Sequence, residues 1–464
     1  FDQLLDRIAD NLNKPTPNPR ALANLLWSLA KLGVKVDAER IVVPVMKVIV
    51  KQISDFKSQE ISNAVWAIST MMIAEPAWAR WPCTQEVYEA VASCGATRLT
   101  EFCDQEVANV SWAFVRAIVT GVQYGEKTHK FFQLLGHEVI RRQGRFMPQQ
   151  LSMTCWSFTK CRILDEKLQS DVFLSVVQVM TPSALTHSKP QEMASVAWAL
   201  AKTQGNIATP AVPGSKWPKV HISFQRCARD IAQECIRRDF AKFKGQDFSN
   251  ICWSLTALDV LPFDFAEAAA VGCRRMLASF RAYELSSVCQ AFSPWADKSA
   301  KVNQFMKDAI TRITTRFLEA ASPQTASNFA YALARSDQTN KEAFRVAIRS
   351  ATQKMHALKP TELAVVAWAG SRLARILNAP TDEKLLHTFF QTLVGTCFVV
   401  IEELEGRPLS VVLWAARFGV NGRNLLRHCE DRIVELLNKR SFNDFETIEL
   451  IAAYNYQFPD GRVA

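Results

Sequence analysis

The chain has 464 residues, 48% hydrophobic and 22% charged, a balance that excludes a disordered chain. With 55 Lys and Arg against 45 Asp and Glu, the formal charge is +10, which favours polyanionic partners. The best apolar stretch, Leu393 to Ile401, falls well short of the roughly 20 residues a membrane span needs, so no span is expected. Asp2, Asp6 and Asp10 do not fit a signal peptide.

Along the chain one segment keeps returning. Leu22-Ala-Asn-Leu-Leu-Trp27-Ser-Leu-Ala-Lys31 reappears around Trp66, Trp112, Trp156, Trp198 and Trp253. It passes through two copies with Gln290 and Tyr331 at the tryptophan position and is restored at Trp368 and Trp414. A weak further start runs from Phe445 to Tyr454, making residues 441–464 a partial repeat. The spacing is 37–46 residues, with one interval of 55 between Trp198 and Trp253. That interval holds residues 205–218, where Pro210, Pro213, Gly214 and Pro218 read as an insertion loop.

Each copy is helical by period. Taking the tryptophan as position zero, large apolar residues sit at −5, −2, +2 and often +5, as in Leu22, Leu25, Leu29 and Leu32. Upstream lies a break and then an acid, as in Ser58-Gln59-Glu60, Lys189-Pro190-Gln191-Glu192 and Lys359-Pro360-Thr361-Glu362. Proline and an acid in a first turn are helix-start signals. Downstream a second amphipathic run follows, for example Glu126 to Arg142, Phe263 to Phe280 and Ala300 to Leu318. A helix–turn–helix of this size cannot bury its own apolar faces and must stack on its neighbours. The expected fold is all-α: residues 1–464 as one continuous α-solenoid of about ten such repeats.

The period sorts each first helix into three faces. Positions −4, −1 and +3 are small (Ser62, Ser69, Ala108, Ser111, Ala194, Ala197, Ala201), which lets a neighbouring helix approach closely. The face opposite the large stripe gathers −7, −3, 0 and +4. At −7 stand Gln59, Gln105, Gln149, Gln191, Gln246 and Gln324, and at −3 Asn24, Asn63, Asn109, Asn250 and Asn328. At +4 stand Lys31, Arg116, Lys160, Lys202, Arg335 and Arg372. Cations in that row suit phosphates, and amides suit the base edges of single-stranded RNA. The same amides would equally cap and brace adjacent repeats. Trp27, Trp66, Trp112, Trp156, Trp198, Trp253, Trp368 and Trp414 are expected to wedge repeats together rather than to stack bases. Trp81-Pro82 and Trp217-Pro218 read as loops outside the repeat phase. Arg141-Arg142, Arg237-Arg238, Arg274-Arg275, Arg312 and Arg316 read as helix-end cations or solvated faces.

Lys57-Ser-Gln59-Glu60-Ile-Ser-Asn63-Ala-Val-Trp66-Ala and Pro190-Gln191-Glu192-Met-Ala-Ser195-Val-Ala-Trp198-Ala-Leu-Ala-Lys202 resemble the octotricopeptide repeat family, as does the ending Ala30-Lys31-Leu32-Gly33. Heptatricopeptide and FAST-kinase-like helical arrays are similar too. The resemblance runs over about residues 18–455; the chain departs from it at Gln290, Tyr331 and Gly370, where Trp, Trp and Leu stand in the family pattern. It implies an organellar protein, of mitochondrion or chloroplast, that binds single-stranded RNA or rRNA in transcript stabilisation, processing or translation. At one repeat per nucleotide the footprint would be at most about ten nucleotides. The alternative is a scaffold subunit of a larger organellar complex such as a mitochondrial ribosome, since solenoids offer large surfaces to protein partners.

Catalysis is not expected. No Walker, GxGxxG, GxSxG or HExxH motif occurs, and nothing calls for a cofactor or a metal. His129 and His137 share a helix face without a matching acid or Cys. None of the 12 cysteines forms a CxxC pair; they read as buried free thiols of a reducing compartment.

Overall fold

The structure is a computed structural model that describes residues 18–33, 37–142, 144–161, 164–207, 217–313, 315–319, 321–336, 340–377, 380–404, 406–419, 421–439, 441–442 and 444–457. Its residues pack as two units, 1–235 with 257–260, and 236–256 with 261–464. No strand occurs among the described residues.

In the first unit, α1 (Pro19–Leu32), α3 (Ser58–Ala74), α5 (Asp104–Thr120), α7 (Pro148–Lys160) and α10 (Pro190–Ile207) stack in sequence order as the first helices of successive repeats. Their partners α2 (Val42–Gln52), α4 (Pro82–Arg98), α6 (Glu126–Arg141) and α8 (Glu166–Val179) stack beside them as a second row. A short α9 (Pro182–His187) follows α8, and α11 (Trp217–Arg237) is the last second helix of this unit, its Phe224 ring 6.4 Å from Phe173 of α8.

The second unit repeats the scheme. Its first helices are α12 (Gly245–Ala257), α14 (Ala282–Phe292), α17 (Pro323–Arg335), α19 (Pro360–Leu373) and α21 (Gly406–Ala416). The second row holds α13 (Phe263–Arg275), α15 (Ala300–Ile310), α16 (Thr315–Glu319), α18 (Lys341–Lys354) and α20 (Pro380–Val400). Two short helices, α22 (Gly422–His428) and α23 (Glu430–Asn438), lead to α24 (Asp444–Gln457), which packs on α21. Each unit is therefore an α-solenoid, as the repeat period requires.

Between the rows lies a phenylalanine-rich core. Phe114 and Phe158, both at +2 of a first helix, meet Phe131 and Phe132 of α6 edge-on at 5.4–6.1 Å. The small residues at −4, −1 and +3 are buried where first helices meet, and the Ser69 hydroxyl donates to the Ala113 carbonyl of the next first helix at 2.7 Å. In the first copy the apolar stripe is narrower than its period suggests. Leu22 and Leu29 are buried, Leu25 is half-buried and Leu32 is exposed, because no described helix covers that side of α1.

Several boundaries differ from the sequence reading. The loop assigned to residues 205–218 is helical at both edges, since α10 runs to Ile207 and α11 begins at Trp217; residues 208–216 lie outside the described residues. The run Phe263–Phe280 ends as an α-helix at Arg275 and closes with a 3₁₀ turn at Leu277–Ser279; Ala300–Leu318 divides into α15 and α16. Trp81 is the residue before α4 and Pro82 its first, a position where proline's missing N–H costs nothing. The apolar stretch near Leu393 is longer than it looks: Asp382–Glu403 is long and apolar enough to cross a membrane by length and composition. In this fold its Phe389, Leu393 and Cys397 are fully buried in the second row.

The acids upstream of each motif start the first helices. Glu60, Glu106, Glu192, Glu284 and Glu362, with Asp247 and Gln150 in the same place, accept a hydrogen bond from the backbone N–H three residues before them at 2.7–3.1 Å. That bond satisfies one of the orphan donors of a helix start. One residue earlier, Phe56, Phe102, Phe146, Phe280 and Leu358 are buried, in the position of a hydrophobic staple facing Ile61, Val107, Leu151, Leu285 and Leu363.

A second recurring device closes the other row. The cation ending a second helix reaches back to the carbonyls that end the previous one. Arg98 Nη1 donates to Ser54 O and Phe56 O at 3.3 and 3.1 Å, and Lys354 Nζ to Leu318 O at 2.9 Å. Arg312 does the same to Leu277 O. Arg142 donates to Phe102 O and Leu99 O at 2.6 and 3.3 Å, and pairs with Glu138 and Asp104. These are the orphan carbonyls of helix C-termini, and a cation is their natural partner.

Gly370 is explained by its neighbour. A β-carbon there would overlap the ring of Phe389 from α20, which fills the space a leucine would need. Gly370→Leu is expected to destabilise the second unit by roughly 1–3 kcal/mol, the usual cost of overpacking, read as a lower midpoint of urea unfolding. Adding Phe389→Ala to Gly370→Leu should recover part of the loss; a further fall would reject this account.

Candidate nucleic-acid interface

In the interior repeats most residues at −7, −3, 0 and +4 stay half-buried or exposed while most of the rest of the first helix is covered; Asn328 and Val411, both at −3, are buried. The tryptophans therefore do not sit in the core. Trp66, Trp112, Trp156, Trp198, Trp253, Trp368 and Trp414 are half-buried, and Trp27 is 41% exposed. They bridge repeats at the surface: Trp66 lies 6.3 Å from Trp112, and Trp112 lies 6.4 Å from Trp156.

The +4 cations interleave with this row. Lys31 stands over its own Trp27 at 5.4 Å and over Trp66 of the next repeat at 4.8 Å. Arg116 does the same with Trp112 and Trp156, at 5.4 and 4.8 Å. Lys160 stands over Trp198 at 5.2 Å. In the second unit Arg372 lies over Trp368 at 5.7 Å, and Tyr331 stands 5.2 Å from Trp368. The result in each unit is a ladder of rings and cations, each rung contributing about 0.5–2 kcal/mol of cation–π attraction.

These cations differ from the others in their partners. Among the described residues, Lys31, Arg116, Lys160 and Arg335 form no ion pair with a carboxylate. Lys202 is exposed on the same row. The Arg116 Nε is buried without a hydrogen-bond partner among the described residues, and burial pulls its guanidinium below the usual arginine value. By contrast the basic pairs of the second row are neutralised locally. Arg274 meets Asp308 at 2.6 Å, Arg275 meets Asp239 at 2.7 Å, and Arg141 and Arg142 share Glu138. The side chain of Arg316 lies outside the described residues. Nor does any Asp or Glu occupy −7, −3, 0 or +4 in any of the ten copies.

Some of the amides pair with one another. Gln105 Nε2 donates to Asn109 Oδ1 at 2.8 Å, and Gln150 Nε2 reaches across repeats to Gln105 Oε1 at 3.2 Å. That is bracing. Asn24 is exposed, Asn63 and Asn250 are half-buried, and Asn328 is only 8% exposed.

One element of the interface escapes the four-position rule. Arg417, at +3 of the last motif, lies 4.0 Å over Trp414, 4.8 Å from Phe418 and 5.5 Å from Tyr456 of α24. Burial and the charge of Arg375 lower its guanidinium pKa. Its Nε also lacks a hydrogen-bond partner among the described residues.

No family model and no curated protein matches the chain. Among solved structures it is similar to a circular tandem repeat protein with novel repeat topology and enhanced subunit contact surfaces, at 14% identity over 96% of this chain and 98% of that one. The TM-score is 0.23, so the likeness carries no argument here.

The remaining chemistry is bland. Among the described residues no group of His, Cys, Asp and Glu is arranged to hold a metal, and His129 bonds Gln133. Burial pushes the thiols of Cys227 and Cys429 up to about 12, far from a reactive thiolate.

Proposed function

We propose that the chain binds single-stranded RNA along the first-helix face of each unit and carries no catalytic activity. The observation behind this reading is the ladder: Lys31, Arg116 and Lys160 are held on tryptophan rings without a carboxylate partner among the described residues, in a row of positions that holds no Asp or Glu. Such cations meet phosphates, while the rings and the Arg116 guanidinium offer planar surfaces to bases. The resemblance to octotricopeptide repeats supports the same reading and is the ground for proposing an organellar role in transcript stabilisation, processing or translation. A scaffold role has its own observation, since Ile448, Ile451 and Tyr456 stand exposed on α24 and suit a protein partner.

The purified chain is expected to select a short motif from a random single-stranded RNA pool. Its affinity should fall steeply between ~50 and ~200 mM salt, as counterion release dictates. Equal binding to double-stranded RNA or heparin would reject sequence-specific recognition.

A further inference from the structure

The ladder changes character in the second unit. At −3, where other copies carry Asn, Ser or Met, the motifs of Trp368 and Trp414 carry Val365 and Val411. Beside them opens a cleft of about 340 Å³, bounded by Tyr331 and Arg335 of α17, Thr361, Val365 and Trp368 of α19, and Val411 of α21. Its volume lies at the small-ligand end of the usual range, ~300–1,000 Å³.

We infer that this cleft receives one unstacked nucleobase of the bound RNA strand, with the adjoining phosphate on Arg335. The inference rests on the RNA reading of the first-helix face. Tyr331 and Trp368 touch each other at 5.2 Å, so the base does not enter between them. It lies beside the pair, over the apolar floor of Val365 and Val411. The wall therefore supplies aromatic and aliphatic contact for a flat ring. The polar groups at the rim are few: the Arg335 guanidinium, the Thr361 hydroxyl and the Tyr331 phenol. Arg335 is exposed and forms no ion pair among the described residues, so its charge is available to an anion. Among the described residues no carboxylate lines the cleft. A planar, π-faced group carrying a monoanion fits that chemistry, and a nucleotide within a single strand is such a group. The cleft also sits in the row that Arg372 continues over Trp368, so a strand following the cations passes its mouth.

The test uses the full chain and a single-stranded RNA of random sequence. Ultraviolet crosslinking followed by mass spectrometry is expected to place a nucleotide adduct on Tyr331 or Trp368. Val365→Phe fills the cleft without altering charge. It should abolish that adduct and weaken binding about fivefold or more, the low end of what one base's contact with an aromatic wall contributes. Arg335→Gln, at an exposed position, should keep the fold and lower the logarithmic salt slope by about 0.7, one phosphate contact. If Val365→Phe and Arg335→Gln bind as the unaltered chain does while Arg116→Gln binds more weakly, the cleft belongs to another occupant. The inference then falls and the RNA reading stands. If the unaltered chain does not bind RNA at any salt concentration, both fall.

Discussion

Replacing Lys31, Arg116 and Lys160 together by Gln should weaken RNA binding by on the order of 10- to 100-fold near ~0.1 M salt and reduce the logarithmic salt slope by about 2. All three cations stand on ring faces of the first unit without a carboxylate partner among the described residues. Their loss also removes cation–π contacts, each of about 0.5–2 kcal/mol, with the half-buried Arg116 at the upper end, so the triple variant should remain folded. The control is chemical rather than positional. Arg274→Gln with Arg275→Gln removes two charges from the second row, but those charges already face Asp308 and Asp239. That double variant should bind RNA within about twofold of the unaltered chain, since paired surface charges contribute little. Equal losses in the two sets, measured by filter binding over a salt series, would show that only net charge matters and would dissolve the ladder as an interface.

Arg142→Met should destabilise the first unit by roughly 2–5 kcal/mol, because it leaves two buried carbonyls without their donor and takes from the Glu138 carboxylate one of its two guanidinium partners. Arg142 is 3% exposed, Glu138 7%, and the guanidinium also holds Asp104 and the carbonyls of Leu99 and Phe102. Hydrogen bonds from Arg141, and then from Arg142, hold the Glu138 carboxyl below the ordinary glutamate value. A carboxyl with a depressed folded pKa adds stability above its unfolded value, and that stability is lost as pH falls through the folded one. The unaltered unit should therefore lose stability progressively below about pH 4.5, the ordinary glutamate value. Glu138→Gln should flatten that part of the profile. Urea midpoints measured between about pH 3 and 7 check both statements; an Arg142→Met midpoint equal to that of the unaltered chain would remove the bracket from the account of stability.

The repeat was legible because a bulky residue, tryptophan, recurs at one phase of a 3.6-residue period. Its period separated the covered faces from the open one. Distances between repeats are another matter. That Lys31 leans on Trp66, or Arg116 on Trp156, depends on how far apart two helices sit, which no single helix period contains. Likewise the partners of Arg274 and Arg275 lie 34 and 36 residues away, so their neutralisation had no local trace. Gly370 looked like a flaw in the motif until Phe389, on the following helix, accounted for it. Arg417 was missed because it stands one residue short of +4 and its third ring, Tyr456, comes from α24. The buried residue before these helix starts has a local trace in the sequence: Phe56, Phe102, Phe146 and Phe280 recur ten residues before the motif position.

The acids that begin the first helices have a consequence for how such a chain tolerates change. Glu60, Glu106, Asp247, Glu284 and Glu362 each set the starting residue of their own helix by a bond to its local backbone. Phase is thus reset in each of these copies. An insertion upstream, such as the long interval before Trp253, shifts no side chain downstream from one face to another. An error in one repeat is contained there, and the array is free to gain or lose whole copies while every remaining tryptophan keeps its orientation.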